Sequence, residues 1–354
     1  MKKLFYKSFI LMGLTLGFVG CNEDDEPDMP EVVVADGVFV ANAGNSSLSN
    51  ASLSYYDIDT KQVTNNLFAA KNPGEELGSL ANDMIIYGSK IYVVVSNSSK
   101  IEVLDMTGKR IKNVAVLNED DSKPAQPRFI TSYKGNVYFT AYDGYVRKMD
   151  TTSLSISSRV EVGAYPEALT VASNKLYVNN SGYGKGTNVS VINLDTFKEE
   201  TKIEVGLNPY NMSLTASDGN VYIVTMGNYY DILSEMKKID VKTNQVTTIC
   251  NASMIANNGN TMYVYYSVWG GESWFKTYDL STNTLSSSEF VSASQFTYVN
   301  SININPINGD VYLGDVPKSS KGNMYIFDSK GSQLNMFEVG YYPGKCCFTG
   351  KTTK

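Results

Sequence analysis

The sequence predicts an all-β protein, a seven-bladed β-propeller, and three observations predict it. A short apolar run with a central aromatic recurs seven times, at intervals of 39 to 53 residues, the period of a four-stranded blade. The phrase Val-Gly-x-x-Pro returns at residues 162–166, 205–209 and 339–343. The chain also opens its repeat on a second strand and closes it on a first one, so its ends supply the two halves of one blade.

The first residues stand outside that fold. Lys2, Lys3 and Lys7 precede an apolar stretch, Phe9 to Gly20, of signal-peptide length and too short to span a bilayer. Residues 1–20 are expected to be a lipoprotein signal peptide. The small residue before Cys21 resembles a bacterial lipobox, although Phe18 stands where Leu is usual, so Cys21 is the expected lipidation site. An ordinary cleaved signal is the alternative. Glu23, Asp24, Asp25, Glu26 and Asp28 cannot bury apolar area, so residues 21–35 read as an acidic tether. The propeller is expected over residues 36–354.

The repeated runs are Val38-Phe39-Val40, Ile91-Tyr92-Val93, Val137-Tyr138-Phe139, Leu176-Tyr177-Val178, Val221-Tyr222-Ile223, Met262-Tyr263-Val264 and Val311-Tyr312-Leu313. They alternate little with polar residues, as a strand covered on both faces should. Most follow a turn signal, such as "YKGN" before Val137 or "SDGN" before Val221, which predicts a hairpin from the inner strand to the second. A second phrase, as in "YDIDTKQV", "IDVKTNQV" and "YDLSTNTL", places Asp57, Asp240 and Asp279 where the third strand turns into the fourth; Asn193 replaces Asp in the same place. Asp105, Asp150 and Asp328 begin looser copies. Repetition in almost every blade makes this row structural, because an Asp or Asn side chain closes such a turn on its own backbone.

The Val-Gly-x-x-Pro phrase ends an outer strand and starts the next inner strand. Pairing the run at Val38 to Ala41 with the final stretch Cys346 to Gly350 completes the remaining blade and closes the ring, which removes exposed sheet edges. Six or eight blades is the alternative if one copy is misjudged.

Composition narrows the function. Without its three leader lysines the chain carries 27 basic against 36 acidic residues, and it has only four arginines, which argues against nucleic acid as a partner. Cys250, Cys346 and Cys347 show no metal-ligand spacing; Cys346 and Cys347 should point to opposite faces of a strand as small buried residues. There is no histidine. Histidine-based nucleophile systems and nearly all zinc sites are thereby removed, and no catalytic residue, metal or cofactor is expected. "GYGKG" at 182–186 lacks phosphate-loop spacing, and "NEDDSK" at 118–123 reads as a solvated charge run.

Blades reading "VSVINLDT" followed by "KIEVG" resemble the YVTN-type, YncE-like propellers over nearly the whole chain after the leader. With a surface-lipoprotein leader, the chain resembles the outer-membrane propeller lipoproteins of Bacteroidetes that capture cobalamin (vitamin B12). This resemblance implies a non-enzymatic protein, lipid-anchored in the outer membrane and facing the exterior. It further implies non-covalent cobalamin binding and transfer to a TonB-dependent transporter.

The loops joining second to third strands and those joining blade to blade belong on one face. They carry Tyr142, Tyr165, Tyr183, Tyr210, Tyr229, Tyr230, Trp269, Trp274, Phe296, Tyr298, Tyr341 and Tyr342, with Arg128 at a blade junction. Aromatic rings among amides and hydroxyls suit a large ligand with an apolar body and a polar rim; these thirteen residues are the candidate ligand site. A glycan-binding surface protein, with its rings in a long groove, and a protein-interaction scaffold are the other readings. A carboxylate pair such as Asp143 with Glu167 in the central mouth would reopen an enzymatic one.

Overall fold

The computed structural model describes residues 32–118, 120–318 and 321–353. The expected leader, Cys21 and most of the tether lie outside the described residues. Seven four-stranded antiparallel sheets form the ring of a β-propeller. In chain order, six blades have as innermost strands Ala81–Tyr87, Pro127–Tyr133, Pro166–Ala172, Pro209–Thr215, Met254–Asn258 and Val299–Ile304. The first blade is shared by the chain's two ends. Its inner strand is Pro343–Thr353, hydrogen-bonded to Val32–Asn42, with Ser52–Asp57 and the two-residue Val63–Thr64 outside it. Val38 pairs with Phe348 and Val40 with Cys346, which is the expected clasp. Pairing starts at Val32, opposite Thr353, so the sheet reaches four residues into the segment read as tether.

All seven aromatic runs lie in second strands, and their rings are at most 2% exposed. The reason is the architecture. Among the described residues the core divides into seven apolar clusters, each filling one seam between neighbouring blades. A second strand faces a seam on both sides, so each three-residue run at its centre is buried throughout. Cys346 and Cys347 are both buried and belong to clusters on opposite sides of their blade. Where the first blade's outer strand is short, a helix, Leu67–Lys71, covers the seam with Leu67 and Phe68. Asn72 holds that helix by donating from Nδ2 to the carbonyls of Phe68 and Gly108, at 2.8 and 3.0 Å.

The aspartate row closes the outer turns. Asp57, Asp105, Asp150, Asp240, Asp279 and Asp328 each accept backbone N–H bonds two to four residues on, through Oδ1, and Asn193 does the same in the fourth blade. Hydrogen bonds to the ionised form hold all six carboxyls below the usual range. Two of the three Val-Gly-x-x-Pro glycines have a packing reason, while the third, Gly206, sits at φ 100°. A Cβ on Gly163 would stand 2.5 Å from Asn180, and one on Gly340 2.7 Å from Asn42. Both asparagines end the second strand of their blade.

Candidate functional site: a tyrosine collar over the central channel

The second-to-third-strand loops and the blade junctions share one face and are bonded to each other. Ser96 N–H donates to the Leu80 carbonyl, Tyr142 to Gln126, Ser181 to Tyr165, Met226 to Asn208, Val316 to Tyr298 and Ala43 to Tyr342. The junction residue that accepts is left-handed in five of these six blades: Leu80, Gln126, Tyr165, Asn208 and Tyr342 have φ between 48° and 65°.

Four tyrosines of this face have left-handed backbones: Tyr165 at φ 48°, Tyr183 at 56°, Tyr229 at 61° and Tyr342 at 54°. A bulky L-residue disfavours that region. Strained positions of this kind cluster at ligand clamps. Here they turn aromatic rings out over the face of the ring.

Below the collar lies the central channel, a cavity of about 910 Å3 walled by the inner strands. Arg128, Tyr210 and Tyr342 line it. Burial, Glu167 and the neighbouring Tyr229 and Tyr298 push the Tyr210 hydroxyl up to about 12. Tyr298 is pushed up by burial first and then by Tyr342 and Tyr229. Tyr229, Tyr298 and Tyr342 thus stand close enough to Tyr210 or to one another to act through space, and two of the four, Tyr210 and Tyr342, line the channel. From it a second row runs outward: Tyr142 meets Tyr165 edge-on with centroids 5.1 Å apart, and Tyr165 meets Tyr183 at 5.2 Å.

One buried network carries the mouth. Arg128 Nε donates to Glu167 Oε2 at 2.9 Å, and Tyr142 donates its hydroxyl to Glu167 Oε1 at 2.7 Å. The guanidinium sits 4.7 Å from the Tyr142 ring centroid. Glu167 is 1% and Arg128 5% exposed. Burial pushes the Glu167 carboxyl up, opposed by Arg128 and the Tyr142 hydroxyl. Asp143 instead holds Arg147 Nη1 at 2.9 Å, so the two carboxylates that would have suggested enzymatic chemistry are each taken by their own arginine.

The remaining expected residues spread out. Tyr230 and Trp269 project from loops, 89% and 96% exposed. Tyr341 lines a second cavity of about 250 Å3 beside the helix. Trp274 is half-buried, packed 5.3 Å from Tyr266 with the Lys276 ammonium 5.2 Å from its ring, and Phe296 packs 5.3 Å from Tyr325. The structure does not bring these two to the channel. Two channel residues escaped the sequence reading. Asp83 accepts from Met84 N–H and Ile130 N–H, both at 2.9 Å, and Lys345 lines the channel from the clasp strand. Their signal is only the in-and-out alternation of an inner strand. Among the described residues no three Cys, Asp or Glu side chains converge in a way that could hold a metal ion.

This architecture defines a seven-bladed β-propeller. The chain belongs to the DUF5074 family, a domain of unknown function, whose model matches residues 36–349. No curated protein matches it in sequence. Among solved structures it is similar to a candidate 6-phosphogluconolactonase from Bacteroides uniformis, with a TM-score of 0.65, 11% identity, and 89% and 99% of the two chains covered. A protein from Lactobacillus plantarum gives 0.62 at 12% identity, covering 90% and 100%. Kuenenia stuttgartiensis hydrazine synthase gives 0.56 at 14%, covering 70% and 76%. At these identities the likeness is one of fold.

Proposed function

We propose that this protein captures a large, amide-fringed small molecule at the tyrosine collar, that the ligand is cobalamin, and that capture involves no turnover. The observation that carries the reading is that Tyr210 and Tyr342 line the channel with Tyr229 and Tyr298 within electrostatic reach of them, Tyr229 and Tyr342 being held in left-handed backbone. Rings set around a mouth suit a broad rigid ligand, whereas a glycan would call for a long groove. A cavity of about 910 Å3 falls in the range of small-molecule sites, about 300–1,000 Å3. The body of a corrin would rest on the collar, with its amides reaching the channel wall. The locked arginine–carboxylate pairs support binding over catalysis. The outer-membrane anchor at Cys21 and the transporter that receives the ligand belong to the same proposal.

The test is direct. The protein is mixed with cyanocobalamin and passed through a desalting column. A red protein fraction is the expected result, and alanine at Tyr210, Tyr298 or Tyr342 should weaken binding about two- to tenfold each, from about 0.5–1.5 kcal/mol per ring beyond burial. A colourless fraction sinks cobalamin capture.

A further inference from the structure

The channel under the collar is walled mostly by uncharged side chains. Its lining charges are Asp83, Arg128 and Lys345, and they differ in what they offer a ligand. Arg128 is 5% exposed and ion-paired with Glu167 behind the wall. Asp83 is 7% exposed, and its two oxygens are occupied by the backbone N–H groups of Met84 and Ile130. Lys345 alone is exposed to the channel space. Among the described residues its ammonium has neither a hydrogen bond nor an ion pair, and it is felt by Asp83 only through space.

We propose that Lys345 is an anion-binding post inside the channel, and that it takes a phosphate, carboxylate or sulfonate group carried by the molecule whose body rests on the tyrosine collar. The proposal rests on the mouth being a ligand site. Three physical arguments lead to it. An ammonium has three donors to satisfy, and among the described residues none of the three has a protein partner. Low-dielectric walls focus the field of a charge, and of the three charges lining the channel Lys345 is the exposed cation, Arg128 being paired with Glu167 and Asp83 bonded to backbone N–H groups, so an anion is drawn to it. The residue also sits on the inner strand Pro343–Thr353, three positions after Tyr342, so the strand that carries the anchoring cation starts directly after the ring that covers the ligand. The specificity implied is for amphipathic molecules with one negative group. In cobalamin the matching group is the phosphodiester of its nucleotide arm.

Two dyes with the same ring system separate the charge from the rings. The probes are 8-anilinonaphthalene-1-sulfonate and its uncharged counterpart N-phenyl-1-naphthylamine, titrated by fluorescence into the full protein, into Lys345→Met and into Lys330→Met, whose lysine stands at an outer turn on the opposite face. A hydrogen bond to a charged group is worth enough to predict about a tenfold or greater loss of sulfonate affinity in Lys345→Met. The uncharged dye should bind all three proteins equally, and Lys330→Met should match the wild type with both. Unchanged sulfonate affinity in Lys345→Met, no saturable sulfonate signal in the wild type, or a parallel loss of both dyes overturns the proposal. Cyanocobalamin retention is scored on the same samples. A colourless wild type with the sulfonate discrimination intact removes cobalamin as the ligand and leaves the anion post standing. A red wild type with no discrimination removes only the post.

Discussion

Glu167→Ala should be the most damaging single change in the mouth. It deletes both acceptor oxygens of a carboxylate that is 1% exposed, and with them the 2.9 Å bond from Arg128 and the 2.7 Å bond from Tyr142. The guanidinium keeps a 3.4 Å contact to Ser96 Oγ and the rings of Tyr142 and Phe129, with no anion to pair with. A charge left buried in this way costs about 3–5 kcal/mol. At an unfolding entropy of roughly 2.1 cal/mol/K per residue over roughly 320 described residues, that lowers the melting temperature by about 4–8 °C. Calorimetry on Glu167→Ala and on the double variant Arg128→Met/Glu167→Met decides the matter. The double variant removes both charges and should recover most of the loss, since replacing a buried pair by apolar groups is close to neutral. A single variant as stable as the wild type, or a double variant worse than the single, would refute the claim that the pair is a coupled, desolvated unit.

Other expectations follow from the same geometry. At Tyr183, with φ 56°, glycine should give a more stable protein than alanine by about 0.5–1 kcal/mol, the reverse of the usual order, because left-handed strain of about 1–2 kcal/mol outweighs the entropy glycine adds to the unfolded chain; urea unfolding of the two variants checks the sign. The six outer-turn aspartates have carboxyls lowered in the folded state, so their stabilisation is complete above about pH 4 and is lost as pH falls through the folded values. Asp83 and Glu167 are raised and act in the opposite sense, favouring the fold at low pH and losing that contribution as pH rises through their folded values. Asp240→Asn should keep the turn, as Asn193 does in its own blade, while flattening the fall of melting temperature between pH 5 and pH 3. Ending the chain at Gly340 removes the inner strand of the first blade and should abolish a cooperative thermal transition, as seen by circular dichroism.

What could be read from the sequence was whatever repeats. Tyr92 and Tyr222 look alike because each occupies the same doubly covered strand, and Asp57 resembles Asp328 because each closes the same turn. The Val-Gly-x-x-Pro phrase was legible for its position, and its reason lies in contacts far along the chain, Asn180 against Gly163 and Asn42 against Gly340, and in the positive φ of Gly206. The mouth was legible in part. Loop aromatics marked the right face, yet sequence spacing could not separate Tyr298, which reaches the mouth, from Phe296 two residues earlier, which packs into a seam. Arg128 and Glu167 are 39 residues apart, and nothing local announces that neighbouring inner strands bring them into contact. Among the described residues the helix Leu67–Lys71 recurs in no other blade, so repetition was silent about it.

The clasp also decides which way the molecule looks. Strand Val32–Asn42 enters its blade beside Thr353 and leaves beside Pro343, next to Tyr342 of the collar. Whatever lies upstream of Val32 therefore meets the ring on its underside, the face of the inner hairpins and the aspartate turns. The ring thus takes in its first described strand on the face away from the collar, so the two faces of the disc differ in kind: one receives the chain, the other carries the tyrosines.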